Sequence, residues 1–169
     1  MNEVKELIKK IKNTNNKGLH KTNMILGIGK KHKDPVLVEF LIELLKDGDE
    51  RIRHASCQAL GDIGDPNALK PLAEIALNDW DYDTRKAAIQ SLSELGDENA
   101  LEPLIKLLED NNVVIQKRAA WALGRMNNKK AIKPLQTSLQ KVSEQLSQSP
   151  TTMLNLYKRE LEDALKKLN

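Results

Sequence analysis

The stretch Ala59-Leu60-Gly61-Asp62-Ile63-Gly64-Asp65-Pro66-Asn67-Ala68-Leu69-Lys70-Pro71-Leu72 recurs around Ser91 to Leu104 and again around Ala122 to Leu135. Matching positions fall at Ala68, Ala100 and Ala131, at Pro71, Pro103 and Pro134, and at Leu72, Leu104 and Leu135, so the copies are 32 and then 31 residues apart. A fixed period in this range marks a solenoid, because one unit cannot bury its apolar face alone and must stack on its neighbours.

Each unit reads as two helices. Asp65-Pro66 supplies a capping oxygen followed by a proline suited to the first helical position, and Asp34-Pro35 repeats that start. Leu69, Leu72, Ile75 and Ala76, then Leu101, Leu104, Ile105 and Leu108, fall at helical spacing, so one face of each first helix is buried. Turns follow at Asp47, Asp79 and Asp110, with Asp49, Asp81 and Asn111 as candidate caps of the second helices. Small residues dominate those helices (Ala55, Ser56, Cys57 and Ala59; Ala87, Ala88 and Ser91; Ala119, Ala120 and Ala122) and let neighbouring second helices approach closely. Gly64 and Gly96 close them, and the glycines of Gly27-Ile28-Gly29 and Gly61-Asp62-Ile63-Gly64 read as helix terminators. Pro71, Pro103 and Pro134 read as interior prolines that kink the first helices, each at a cost of roughly 3 kcal/mol.

Ile52-Arg53 with Ala59-Leu60-Gly61, Thr84-Arg85 with Leu92, and Ile115-Gln116 with Ala122-Leu123-Gly124, each followed by an Ala-Leu/Ile-X-Pro-Leu segment, resemble the short HEAT-like repeats of phycobilisome lyase subunits and prokaryotic adaptor proteins. The resemblance covers roughly residues 34 to 135 and implies an all-α, right-handed α-solenoid. The flanks extend the stack. Val4, Leu7, Ile8 and Ile11 make a helix before Lys17 to Gly29, a degenerate second helix. Ile132, Leu135, Leu139, Val142 and Leu146 make a long helix, and Ser149-Pro150 starts a last one striped by Leu154, Tyr157, Leu161, Leu165 and Leu168. The expectation is ten helices in five antiparallel hairpins forming one domain: residues 1–33 a degenerate N-terminal hairpin, 34–127 three regular repeats, and 128–169 a capping hairpin that has drifted from the repeat.

Composition narrows the function. No apolar run approaches the ~20 residues that span a bilayer, and no signal-peptide pattern follows Met1, so a cytoplasmic location without membrane partners is expected. The one cysteine, Cys57, occupies an alanine position of the repeat and reads as a buried structural thiol. Charge is uneven although the net is +3: residues 1–33 hold nine lysines against Glu3 and Glu6, whereas residues 34–127 hold ten basic and eighteen acidic side chains. The basic end reads as a solvated face, since its lysines are not interleaved with aromatics as single-strand binding requires.

Catalytic constellations are missing. His20, His32 and His54 are scattered and none precedes glutamate, so the repeated His-Glu ligand pairs of deoxyhypusine hydroxylase, a HEAT-like di-iron enzyme, are absent. There is no Cys/His cluster at zinc spacing and no glycine-rich phosphate loop after a strand, so no metal, no cofactor and no enzymatic activity are expected. Arg53 and Arg85, each six residues after Asp47 and Asp79, read as a structural ladder between successive hairpins.

The informative positions are those the repeat leaves free. On the second helices, the residues six before, two before and two after Leu60, Leu92 and Leu123 form one row: His54, Gln58 and Asp62; Lys86, Gln90 and Glu94; Lys117, Trp121 and Arg125, with His20, Met24 and Ile28 as a degenerate first copy. The family resemblance implies that this row lines a concave surface. Residues four apart share a helix face, and Trp and Arg are enriched among binding hot spots. Trp80 and Tyr82, in the turn Asp79-Trp80-Asp81-Tyr82-Asp83, read either as a second recognition spot or as packing on the next hairpin. The expected function is a non-catalytic interaction module that holds another protein or peptide. The alternative is a nucleic-acid binder resembling the HEAT-like alkylbase DNA glycosylases, with Lys117, Arg118, Trp121 and Arg125 as its patch; a bilin lyase subunit ranks third.

Overall fold

The computed structural model describes residues 2–14 and 19–168, in two compact units, 1–95 and 96–169. Ten α-helices and four 3-10 turns make up its regular structure, with no strand among the described residues. Lys17, where the second helix was expected to begin, lies outside the described residues.

Unit 1 contains α1 (Asn2–Asn13), α2 (Leu19–Leu26), α3 (Pro35–Leu44), α4 (Glu50–Ile63), α5 (Leu69–Asn78) and α6 (Tyr82–Leu95). α2, α4 and α6 lie side by side in one layer, and α3 and α5 back them in the other. The apolar stripes meet between the layers: Leu37, Leu41 and Leu72 from one side and Ile52, Leu60, Ile89 and Leu92 from the other are fully buried. Unit 2 contains α7 (Leu101–Lys106), α8 (Val113–Met126), α9 (Ile132–Gln148) and α10 (Thr152–Leu168), with α8 beside α10.

The starts of the first helices differ from expectation. Asp34 caps α3 and Asp65 caps as foreseen, and Asp97 and Asn128 take the same place; Asp65, Asp97 and Asn128 accept from the backbone N–H of Asn67, Asn99 and Lys130, but each caps a 3-10 turn (Pro66–Ala68, Glu98–Ala100, Lys129–Ala131) and the α-helix begins after it. Pro71, Pro103 and Pro134 therefore stand third in α5, α7 and α9, within the first turn. Helical N–H groups there have no intrahelical acceptor, so a residue lacking one forfeits nothing and the expected interior penalty does not arise.

The turns before the second helices share one device. Asp47, Asp79 and Asp110 accept from the N–H two residues on, each at 2.9 Å. That second residue then caps the helix: Asp49 accepts from Arg51 N, Asp81 from Thr84 N and Asn112 from Val114 N. The third cap is thus Asn112 and not Asn111, because the two-residue spacing of the turn is kept.

Glycine serves two purposes. Gly64 and Gly96 take positive φ, 74° and 64°, and end α4 and α6 as expected, while Asn127 at φ 51° ends α8. Gly29, Gly61 and Gly124 are not terminators. A Cβ on Gly29 would lie 2.4 Å from the Ala59 carbonyl oxygen, on Gly61 2.6 Å from Ser91 Oγ, and on Gly124 2.8 Å from Ala164 Cα. These glycines mark where second helices touch, backbone against backbone or short side chain, as the small-residue pattern foretold. Ser91 also donates to the Cys57 carbonyl at 2.8 Å across the same seam.

Those contacts fix the repeat register. Gly29 meets Ala59 as Gly61 meets Ser91, so the first copy keeps the 32-residue period, and the row begins with Thr22 and Leu26 in α2 and ends at Lys30 beyond it, in place of His20, Met24 and Ile28. Ile28 is accordingly 2% exposed, a core residue. Gly124 meets Ala164 in the same manner, so α10 keeps the packing register of the second helices although its spacing in the sequence has drifted. Ala164-Leu165 is the counterpart of Ala59-Leu60 and Ala122-Leu123, displaced because α9 runs to 17 residues. Its start is set by Thr151, whose hydroxyl accepts from Leu154 N at 3.2 Å, and not by Ser149-Pro150. Tyr157, buried in α10, donates to the Leu108 carbonyl at 3.2 Å and ties that helix back to the end of the first-helix layer.

Candidate functional site

Along each second helix the framework residues are sealed and the free row is not. In α4, Ala55, Cys57, Ala59 and Leu60 are 0% exposed, whereas His54, Gln58 and Asp62 remain half-buried. In α6, Lys86 and Gln90 are half-buried and Glu94 is exposed beside the sealed Ala88, Ile89 and Leu92. In α8, Lys117 and Trp121 are half-buried and Arg125 is exposed, while Ala119, Ala120, Ala122 and Leu123 are 0% exposed. All nine positions therefore reach solvent from the outer side of the second-helix layer in their own unit.

In unit 1 that row is mixed in charge and partly self-satisfied. Lys86 pairs with Asp83 one turn earlier, holding the Asp83 carboxyl below its ordinary range first through that hydrogen bond and then through the charge. Gln90 donates to Glu94 at 2.9 Å. The Glu94 carboxylate lies over Gly61, filling the space a side chain there would need. Such a surface offers donors and acceptors of both kinds on a rigid base.

In unit 2 the row centres on Trp121. The Arg118 and Arg125 guanidinium carbons lie 5.0 and 5.6 Å from its ring centroid, within cation–π range. The tryptophan is neither core nor bare; it is half-buried, with two basic side chains near its ring.

Trp80 and Tyr82 are exposed, 69% and 52%, so they do not pack on the next hairpin. Trp80 rests on the Arg53 guanidinium at 4.9 Å. Arg53 is itself clamped, donating to both Asp79 carboxylate oxygens at 2.7 and 2.9 Å and to the Asp47 carbonyl at 2.9 Å. The ladder thus joins the arginine of one hairpin to the aspartate of the next. Lys21 holds the same place one period earlier, 3.6 Å from Asp47, and Gln116 reproduces the carbonyl contact in unit 2 by donating to Asp110 O at 2.7 Å. Arg85 donates to the Ala76 carbonyl at 2.8 Å.

Cys57 is 0% exposed and burial pushes its thiol far up, so it is not a nucleophile at neutral pH. Among the described residues no three His, Cys, Asp or Glu side chains gather in a way that could hold a metal ion. No described helix is long and apolar enough to cross a membrane. At the basic N-terminus Lys12 lies 5.2 Å from the Phe40 ring centroid and Lys21 is drawn into the ladder.

The family model for HEAT repeats matches residues 4–93 and 69–149. No curated protein matches. Among solved structures, the complex of CpcE and CpcF of phycocyanin lyase from Nostoc sp. PCC7120 is 26% identical with a TM-score of 0.66; the alignment covers 92% of this chain, which spans 63% of that one. A designed armadillo repeat protein in complex with the peptide (KR)4 is 20% identical with a TM-score of 0.62, covering 96% of this chain and 80% of the other. A computationally designed armadillo repeat protein for modular peptide recognition is 18% identical with a TM-score of 0.64, covering 96% and 81%. At these identities the two designed proteins share the fold and nothing finer.

Proposed function

The chain belongs to the HEAT-repeat family, and from that membership we propose that it is a non-catalytic scaffold that binds a protein or peptide on the outer face of its second helices. One observation carries the proposal: in every second helix from α4 to α8 the row of free positions stays solvent-accessible beside completely buried neighbours, and its residues differ from unit to unit. Positions that the fold does not constrain and that present polar, charged and aromatic groups on a fixed backbone form a pre-organised surface, so little conformational entropy is lost on binding. The similar phycocyanin lyase chains were solved as a complex of two proteins, and a designed repeat protein of like fold was solved with a peptide; both support a polypeptide partner.

The test is a nuclease-treated pull-down with the wild type and with Lys117→Glu/Trp121→Ala/Arg125→Glu, followed by mixing the purified components. A protein bound directly by the wild type and by Lys133→Glu, a control on α9, but lost with the triple variant is the expected result. Equal recovery by all three baits would remove the α8 row from the binding surface. A second reading, a subunit acting on a chromophore-bearing protein, is supported by the 26% identity to the lyase complex; visible absorbance that appears only on co-expression with a bilin and its acceptor protein would favour it.

A further inference from the structure

The second-helix layer of unit 2 differs electrically from that of unit 1. α8 and α10 together carry seven basic and three acidic side chains, whereas α4 and α6 carry four of each. The register set by Gly124 on Ala164 places the α10 charges. Ala164 stands to Gly124 as Ser91 stands to Gly61, so Arg159, Asp163 and Lys167 occupy the slots of Lys86, Gln90 and Glu94, and all three are exposed. With Lys117, Trp121 and Arg125 on α8 they form a six-position face holding four cations, one acid and a tryptophan.

Several lysines of unit 2 away from this face are ion-paired, whereas, among the described residues, Lys129, Lys133 and Lys158 are not. Lys106 pairs with Glu102 at 3.1 Å, Lys130 with Glu98, and Lys141 with Glu109. Among the described residues, Lys117, Arg125, Arg159 and Lys167 have no carboxylate within ion-pair distance, while the single acid, Asp163, is held by Lys166 at 3.4 Å. What distinguishes the face is that four unpaired cations lie on two adjacent helices around one tryptophan.

We infer that the α8 and α10 face of unit 2 docks an acidic peptide segment, its carboxylates taken by Lys117, Arg125, Arg159 and Lys167 and an apolar side chain laid against Trp121. This rests on the proposed role of the second-helix face and adds the partner's chemistry. The dimensions fit a short segment: eight residues along each helix span about 12 Å and packed helices stand about 8–10 Å apart. Same-side carboxylates of an extended peptide recur about every 7 Å, so two or three meet cations within that rectangle. The two arginines offer forked donors that match a carboxylate in geometry as well as charge. A nucleic acid fits less well. Base stacking along a strand needs aromatic faces in series, and this face carries a single ring, Trp121.

The experiment is fluorescence anisotropy at low ionic strength with the full chain and labelled (Asp-Glu)4, with (Lys-Arg)4 as the opposite-charge probe. The acidic octapeptide should bind and the basic one should not. Lys117→Glu/Arg125→Glu and, separately, Arg159→Glu/Lys167→Glu should each weaken binding by about tenfold or more, with Lys133→Glu without effect and circular dichroism unchanged throughout. Binding of the acidic peptide no tighter than the basic one would overturn the inference. So would its displacement by a lower concentration of a single-stranded oligonucleotide, which would make the face a nucleic-acid site, or indifference to the α10 pair, which would remove α10 from it. If the acidic peptide fails while the pull-down partner is still lost with the α8 variant, only the partner chemistry falls and the scaffold role stands.

Discussion

Arg53 and Asp79 show how one pair of side chains converts a sequence period into a joined structure. Both are nearly sealed, at 6% and 4% side-chain exposure, and the guanidinium meets the carboxylate with two hydrogen bonds. Burial works to raise the Asp79 pKa, but the Arg53 hydrogen bonds and charge outweigh it and hold the carboxyl below its ordinary value. A folded pKa lower than the unfolded one gives stability that is present above about pH 4 and is lost as the pH falls through the folded value. Asp79→Asn should therefore cost about 3–5 kcal/mol near pH 7, since it strands a buried guanidinium. The gap to the wild type should shrink in acid. Urea unfolding at neutral pH and below pH 4 measures both; a gap that is constant with pH would sink the ion-pair explanation. The sequence marked Arg53 and Asp79 as ladder residues, but the period makes Asp47 and Asp79 equivalent, and only the fold shows that Arg53 takes the carbonyl of one and the carboxylate of the other.

At the scale of elements, the second helices of unit 1 pack on glycine and serine. Ala55, Ala59, Ala87 and Ser91 made close approach legible in the sequence, whereas the role of Gly29 and Gly61 was not, because a glycine near a helix end looks the same whether it turns the chain or admits a neighbour. The contacts separate the two. An added Cβ at Gly29 runs into the Ala59 backbone, which cannot yield locally, so Gly29→Ala should destabilise by about 1–3 kcal/mol. Gly61→Ala should cost less. Its neighbours are the Ser91 and Glu94 side chains, which can shift, and alanine is favoured over glycine inside a helix by about 1 kcal/mol. Thermal melts of the two variants test the ranking; Gly61→Ala melting below Gly29→Ala would contradict it. The prolines carry the same lesson: Pro71, Pro103 and Pro134 were visible as a repeated feature, but their harmlessness depends on a 3-10 turn that places each in the first turn of its helix.

For the whole molecule, stability in a repeat array comes from nearest-neighbour interfaces, so the last helix protects more than itself. α10 covers Gly124 and supplies Tyr157, whose hydroxyl reaches the Leu108 carbonyl. Ending the chain after Thr151 should thus lower far-ultraviolet helicity by more than the 17 residues of α10 and reduce the melting temperature; a loss matching those residues alone, with an unchanged melt, would show that α8 stands without it. Sequence by itself determined the repeat, its 32- and 31-residue spacings, the paired-helix unit, the caps at Asp65, Asp49 and Gly64, and the row of unconstrained positions, because these follow from local capping and from apolar periodicity. Tertiary structure alone decided the register of the first and last copies, the exposure of Trp80 and Tyr82, and the inclusion of Arg159 and Lys167 beside Trp121. Periodicity states which residues are equivalent, but where spacing is lost, as across the long α9, equivalence is set by which backbones touch, and that is fixed only when the helices pack.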